Sequence, residues 1–298
     1  MLSSTAKIDL HSHSTRSDGK GSPEQVVTEA VAAGLDVIAL TDHDTTSGWA
    51  EGSETAKRLG IGFIAGIEVT TRASVINDEG EGQRFSVHML AYLPDPKNVE
   101  LQSELTDSSE SRRVRLKKIT ERLSEDYDID WDAVEVELAS GKTAGRPAVA
   151  DAMIKRGIIK AREEFFEFVF PGSKYYEPNR GVPETYEAIR LIRRAGGVPV
   201  IAHPMARGNG PTPGQPMPVA HFESMIEAGL GGFEAYHRDV PEHVTQWLEK
   251  MAFEHDLVLT GSSDYHGTGK PNRLGERLTS AANLEKIISQ ATGFAAQL

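Results

Sequence analysis

A seven-stranded α/β barrel is the fold this chain predicts, on three observations. Short apolar segments alternate with amphipathic ones at both ends of the sequence, the pattern of parallel strands joined by helical crossovers. Histidines and carboxylates stand where most of those segments stop, as in Ile8-Asp9-Leu10-His11 and Val37-Ile38-Ala39-Leu40-Thr41-Asp42-His43. Side chains at the ends of separate strands converge only if the strands are neighbours, so this spacing describes a barrel rim as well as a set of ligands. A length of 298 residues is ordinary for one α/β barrel and forces no split.

The elements follow in order. Lys7 to Leu10 alternates like a short strand. Ser22-Pro23-Glu24-Gln25 supplies an N-cap, a proline at the first helical position and a capping-box glutamine. The helix so begun carries Val26, Val27, Ala30 and Val31 on one face and stops at Gly34. A strand at 36–41, a helix over 47–59 and an apolar strand from Ile61 to Ile67 come next. Val69–Val75 and Phe85–Leu93 form a hairpin about the polar link 77–82. Between 100 and 180 the apolar residues fall at helical spacings with no strand between them: Val114, Ile119 and Leu123, then Trp131, Val134 and Leu138, then Val149, Met153 and Ile154. This predicts an inserted small helical cap domain over 100–180, with the barrel domain built from 1–99 and 181–298. The rhythm then returns with a helix at 184–195, a strand ending at His203, a Gly/Pro-rich loop at 207–218 and a helix at 219–228. A strand at 231–236, a helix at 241–255, a strand at 257–261 and a helix at 283–290 complete the chain. The barrel is one unit short of the eight-fold type.

Composition narrows the chemistry. There is no cysteine, which fits a reducing compartment and excludes disulfides and thiolates. Any metal is therefore held by imidazole nitrogen and carboxylate oxygen. The net charge of −12 argues against sequence-independent binding to a long nucleic acid. A small phosphorylated substrate is compatible with it, because bound divalent ions reverse the local field. No stretch approaches the roughly 18 apolar residues of a membrane span, and Met1 to Lys7 holds no signal-like apolar run. A soluble cytoplasmic protein is expected.

His11 and His13 lie at i and i+2, point the same way from a strand and can grip one ion together. Asp264 and His266 repeat that geometry at the end of the last strand. Asp18, in Ser17-Asp18-Gly19, would read as a plain turn if it stood alone. His43 follows a buried-type strand. Glu68 closes an apolar one, where an unpaired carboxylate is costly and where it could bridge two cations. His88 interrupts a strand, and His203 precedes Pro204 at a strand end. His237, after Phe233-Glu234-Ala235-Tyr236, reaches the same rim as a candidate general acid or phosphate donor. Arg146, Lys174 and Arg180 are candidate phosphate contacts, with Arg207 a fourth. Arg112, Arg113, Arg115, Lys117, Lys118 and Arg122 read as a solvated helix face.

Together, His-x-His, Ser-Asp-Gly, Thr-Asp-His-Asp, Gly-Ile-Glu, a strand histidine, Ala-His-Pro and Ser-Asp-x-His resemble the polymerase and histidinol phosphatase (PHP) family over 7–93 and 184–275. The resemblance implies a distorted TIM-like barrel with three divalent ions at the C-terminal ends of its strands. It implies that His11, His13, Glu68 and Asp264 hold one ion. Glu68 would bridge to a second, shared with His88 and His203, and Asp18, His43 and His266 would hold the third. Zn, Mn and Fe all suit such donors. The segment with Gly145-Arg146-Pro147 and Lys174 resembles the insertion of members that dephosphorylate nucleotides, although Ala148 stands where related sequences often carry histidine.

The activity implied is hydrolysis of phosphomonoesters of small nucleotides, AMP-like or nucleoside 3′,5′-bisphosphates, by a hydroxide bridging two ions. Glu68, Asp264 and His237 would be the catalytic residues. A 5′–3′ exonuclease on short RNA and another small-molecule phosphatase, such as one acting on histidinol phosphate, stay open. So do an amidohydrolase and a metal-stabilised scaffold without catalysis. Amidohydrolases on similar barrels usually add a carbamylated lysine on a middle strand, and no strand end here presents a lysine.

Overall fold

The computed structural model describes residues 2–76, 82–138, 143–170, 174–179, 181–205 and 219–298. Seven strands lie side by side in chain order: β1 (Ile8–Asp9), β2 (Val37–Leu40), β3 (Gly62–Ile76), β4 (Gly82–Tyr92), β5 (Val198–Ile201), β6 (Gly232–Tyr236) and β7 (Val258–Gly261). β1, β2 and β3 are parallel, β4 runs antiparallel to both β3 and β5, and β5, β6 and β7 are parallel again. The ends of the sheet meet through a few backbone bonds. His13 N donates to Tyr265 O at 2.8 Å and Tyr265 N to His11 O at 3.3 Å. The Asp9 carboxylate completes this seam, accepting Ser263 N at 3.0 Å and Gly275 N at 2.8 Å.

Local sequence explains the first helices. α1 (Pro23–Ala32) starts on the Ser22/Gln25 capping box and buries Val26, Val27 and Ala30. α2 (Trp49–Leu59) stops at left-handed Gly60, and its Trp49 Nε1 donates to Gly66 O at 2.8 Å, fixing the helix on β3. Every residue of β2 is buried, as expected of an inner parallel strand.

The strand expected to end at Ile67 does not end there. β3 runs unbroken for 15 residues. β2 supports it as far as Leu40↔Ala65, and β4 pairs with it from Gly66↔Tyr92 to Ile76↔Gly82. Because a second partner takes over at the rim, the strand projects beyond the barrel and Glu68 lies inside it. The hairpin link at 77–81 falls outside the described residues.

Buried apolar side chains form two clusters. One fills the barrel, and the other joins residues between Leu116 and Tyr175. The second is built by α3 (Val99–Leu123), α4 (Trp131–Leu138), α5 (Arg146–Lys155), the short α6 (Arg162–Glu164) and the π-turn Phe165–Val169. α3 crosses the expected domain boundary. Its Leu101 and Leu105 belong to the barrel core, its Leu116, Ile119 and Leu123 to the other. With about 1.5–3 kcal/mol for each buried leucine, one rigid helix is anchored in both. Thr143 Oγ1 to His43 O at 2.7 Å, and Lys20 Nζ to Asp151 Oδ2 at 2.7 Å, tie the second unit to the rim loops.

The barrel is completed by α7 (Thr185–Arg194), α8 (Val219–Glu227), α9 (Glu242–Glu254) and α10 (Ala281–Gln290). α10 begins earlier than the apolar spacing implied because Ser280 caps it, accepting Asn283 N. Among the described residues, no helix is long and apolar enough to cross a membrane.

The close pairing of β6 and β7 is testable at Gly232, the partner of Val258, where an added Cβ would sit 2.2 Å from Val258 O. Gly232→Ala should lower stability to urea by about 1–3 kcal/mol. A loss below about 0.5 kcal/mol would mean that the two strands shift freely against each other.

Candidate metal centre

Four donor atoms converge at the centre of the rim. His11 Nε2 lies 3.0 Å from His13 Nε2, 3.2 Å from Glu68 Oε2 and 3.5 Å from Asp264 Oδ1. His13 Nε2 lies 3.0 Å from Glu68 Oε2 and 3.3 Å from Asp264 Oδ1. A tetrahedral ion with ligand bonds of about 2.0–2.1 Å spaces its ligands about 3.3–3.4 Å apart. The cluster therefore has the size and the nitrogen–oxygen composition of a first coordination shell, and the residues fit the group that the sequence implies.

The other oxygen of Glu68 faces a different set. Oε1 lies 2.7 Å from His88 Nδ1 and 3.2 Å from His203 Nε2, while His43 Nδ1 is 3.3 Å from Oε2. Asp18 gathers the remaining histidines, with Oδ1 3.1 Å from His266 Nε2 and Oδ2 4.0 Å from His43 Nε2. All nine expected ligands thus sit in one cluster. The regrouping offered by the geometry differs in detail, since His43, Glu68 and His88 converge, as do His13, Asp18 and His43. The His11 and His13 side chains are 0% exposed and His88 is 30% exposed, so the cage opens toward β4.

The residues flanking His43 hold the loops in place. Asp42 accepts Ser14 N at 2.8 Å and Ser17 Oγ at 2.6 Å through Oδ1, and Ser14 Oγ at 2.7 Å through Oδ2. This pins the segment that carries Asp18. Asp44 accepts Thr70 N at 2.9 Å, two residues beyond Glu68, and pairs with Arg112 Nε at 2.7 Å. Asp44, His203 and Asp264 have left-handed φ of 50°, 30° and 54°. Such non-glycine conformations cost about 1–3 kcal/mol each and persist where surrounding bonds enforce them.

Sequence reasoning missed two charged residues at the site. Glu234 is fully buried, with Oε1 2.9 Å from His11 Nδ1 and Oε2 accepting His203 N at 2.8 Å. It sits within the Phe233–Tyr236 stretch that flagged His237, and a charged residue inside the apolar Gly232–Tyr236 run was the available signal. Lys270 Nζ lies 2.7 Å from Asp264 Oδ2. It comes from a turn (Gly267-Thr268-Gly269-Lys270) with no periodicity to flag it.

His237 is buried at the rim, with Nε2 3.9 Å from Asp264 Oδ2 and its ring 5.4 Å from that of His203. Lys174 is not brought to the cage. It is exposed and pairs with Asp126 at 2.7 Å. Arg180 and Arg207 lie outside the described residues. Arg146 is half-buried over the rings of Phe166 and Phe170, at 5.7 and 5.1 Å, with no ion-paired carboxylate among the described residues. Burial, and then the nearby Arg112, lower its pKa. The solvated-face reading of the basic run fails for Arg112 and Arg115. Arg112 reaches Asp44 and Thr70, and Arg115 Nε donates to Glu177 O at 2.6 Å, because α3 packs its face against the rim and the second core. Lys117 and Lys118 are exposed.

Residues 9–140 match the PHP domain. Phosphoribosyl 1,2-cyclic phosphate 1,2-diphosphodiesterase of Eggerthella lenta is 30% identical, over 91% of this chain and 98% of its own. The chain belongs to the PHP family. Other relatives are a 5′-3′ exoribonuclease of Haemophilus influenzae, 30% identical over 88% of this chain and 90% of its own, and a 3′,5′-nucleoside bisphosphate phosphatase of Chromobacterium violaceum, 29% identical over 90% of each. A solved structure from Bifidobacterium adolescentis, inferred to be a metal-dependent phosphoesterase, superposes with a TM-score of 0.87 at 37% identity over 97% of both chains.

Charge in this PHP rim is self-compensating. Burial opposes ionisation of Glu68, but His43, His88 and His11 hold its pKa well below the usual range. Burial likewise disfavours the His13 imidazolium, yet hydrogen bonds to Asp264 and Glu68 outweigh it and raise the pKa from 6.5 to about 9. A pKa raised on folding means that the protonated ring adds stability below pH 6.5, and that this is lost as the pH climbs through about 9. In the presence of chelator, the Tm difference between wild type and His13→Gln should therefore shrink between pH 6.5 and about 9. A constant or widening difference would refute that account of the cage.

Proposed function

We propose that this protein is a metal-dependent phosphoesterase of small ribose-phosphate compounds, removing phosphate from an AMP-like nucleotide or a nucleoside 3′,5′-bisphosphate. The observation that carries this reading is the tetrahedron of donors from His11, His13, Glu68 and Asp264, with the second oxygen of Glu68 turned to His88 and His203. A carboxylate presenting its two oxygens to two groups of nitrogens suits adjacent ions. Asp18, His43 and His266 would serve a third. Divalent ions held there (Zn, Mn or Fe by donor type) would supply Lewis acidity and lower the pKa of water toward neutrality.

The chain's own groups account for the rest. His237 Nδ1 accepts Asp239 N at 3.1 Å, so the neutral ring carries its proton on Nε2. That nitrogen is buried with no hydrogen-bond partner among the described residues, and burial lowers the ring's pKa. His237 is thus placed to donate a hydrogen bond to a substrate oxygen. Lys270 pairs with Asp264 while 34% of its side chain stays exposed. It would stabilise charge on the phosphoryl or leaving oxygen. Arg112 and Arg146 line the approach from the helical unit, which we place over the rim as a cap spanning 100–180.

An amidohydrolase reading is disfavoured because none of the seven strands contains a lysine that could be carbamylated. The names of the relatives, a cyclic-phosphate diphosphodiesterase, an exoribonuclease and a bisphosphate phosphatase, share cleavage of a phosphoric ester. A second reading, 5′–3′ cleavage of short RNA, is favoured by the exoribonuclease relative.

Purified protein should contain tightly bound divalent metal and release inorganic phosphate from nucleoside 3′,5′-bisphosphates faster than it releases mononucleotides from 5′-phosphorylated oligoribonucleotides. No release from any phosphoester by fully metallated protein would sink the proposal, and the reverse preference would favour the RNA reading. Asp264→Asn should abolish turnover in a folded protein. Lys270→Met should lower kcat by about 10²-fold with metal content intact. A Lys270→Met enzyme of wild-type kcat would remove that residue from the mechanism.

A further inference from the structure

Glu234 belongs to none of the donor sets proposed above, yet it touches two of them. Its side chain is fully buried on β6. Oε1 lies 2.9 Å from His11 Nδ1, and Oε2 accepts the backbone N–H of His203 at 2.8 Å. These partners come from the ends of different strands, β1 and β5. An ionised carboxylate oxygen only accepts, so Nδ1 of His11 must carry a proton. In the neutral ring the lone pair of His11 is then on Nε2, the atom that meets His13, Glu68 and Asp264. The second contact acts on the backbone. His203 has φ of 30°, a conformation that a non-glycine residue holds only when its surroundings enforce it, and its ring lies 3.2 Å from Glu68 Oε1.

We infer that Glu234 is a positioning residue for the metal centre, one carboxylate that locks His11 in the Nδ1–H tautomer and clamps the strained His203 peptide, so that both imidazoles face Glu68. This inference rests on the cage reading given above. Glu234 could instead be a ligand itself, since one donor atom each from His11, His203 and Glu234 lie within 4.8 Å of one another. Coordination through Oε1 would displace the hydrogen bond to His11 Nδ1, and coordination through Oε2 would strip the buried His203 N–H of its acceptor, either of which costs free energy without replacement. The arrangement as it stands satisfies every group, which favours positioning.

Glu234→Gln tests this, because an amide of nearly the same shape cannot accept from both partners. Two measurements apply: divalent-metal affinity by chelator competition, with stoichiometry at saturation, and the tautomer of His11 in zinc-loaded wild type by long-range ¹H–¹⁵N NMR. The expected result is the Nδ1–H tautomer in wild type, and affinity about 10–100-fold weaker in Glu234→Gln with unchanged stoichiometry. Unchanged affinity in the folded variant overturns the inference. So does loss of one full equivalent of metal at saturation, which would make Glu234 a ligand, and so does an Nε2–H His11 in wild type. The tautomer measurement decides the matter if the variant does not fold. Wild type that binds no divalent ion at all would instead fail the cage reading, a separate outcome.

Discussion

A fully buried carboxylate with no lysine or arginine against it among the described residues is the constraint around which this protein is organised. Glu68 is surrounded by the imidazoles of His11, His13, His43, His88 and His203 at 2.7–3.3 Å. Such a charge is expensive to bury unless its neighbours compensate it, by several kcal/mol per ion even after relaxation. Here the compensating groups come from four other strands or the residues just past them, β1, β2, β4 and β5, so these strands must pair in register with β3 for the carboxylate to be tolerated at all. Ions and protons compete for the same nitrogens, which couples the state of the site to pH.

That demand explains features with no role in binding. Asp42 and Asp44 flank His43 but turn away from it, one holding the Asp18 loop and the other holding β3 beyond Glu68. Asp9 serves the β1–β7 seam, taking two backbone donors where the strands have few ladder bonds. Burial, set against those donors, raises the pKa of Asp9 to about 6. The strained backbone at Asp44, His203 and Asp264 is another consequence, since the turns that aim these side chains inward are left-handed ones that glycine would adopt more easily.

The helical unit joins this scheme by one rod and several bonds. α3 is anchored in both cores, and its Arg112 reaches Asp44 next to the cage. Arg162 donates to Asp151 at 2.7 Å and to Asp18 O at 3.2 Å, so the unit also touches the loop carrying an expected ligand. Movement of this unit would therefore be felt at the rim, where His43 and Asp18 sit.

The sequence by itself determined the seven strands, their order and the residue types at their ends. Period-two and period-3.6 patterns record which side chains must be buried, and ligand-type residues interrupt those patterns at the rim. His11, His13, His43, His88, His203 and His266 were legible on that basis. The tertiary structure alone decided partnerships that have no periodicity: β3 continuing past Ile67 because β4 takes over from β2, Arg112 leaving a solvated face for Asp44, Lys270 meeting Asp264, and Glu234 linking His11 to His203. The physical reason is that a strand's pattern encodes only which face is buried. Which charge meets which depends on residues far apart in the chain, and only the closed barrel brings them together.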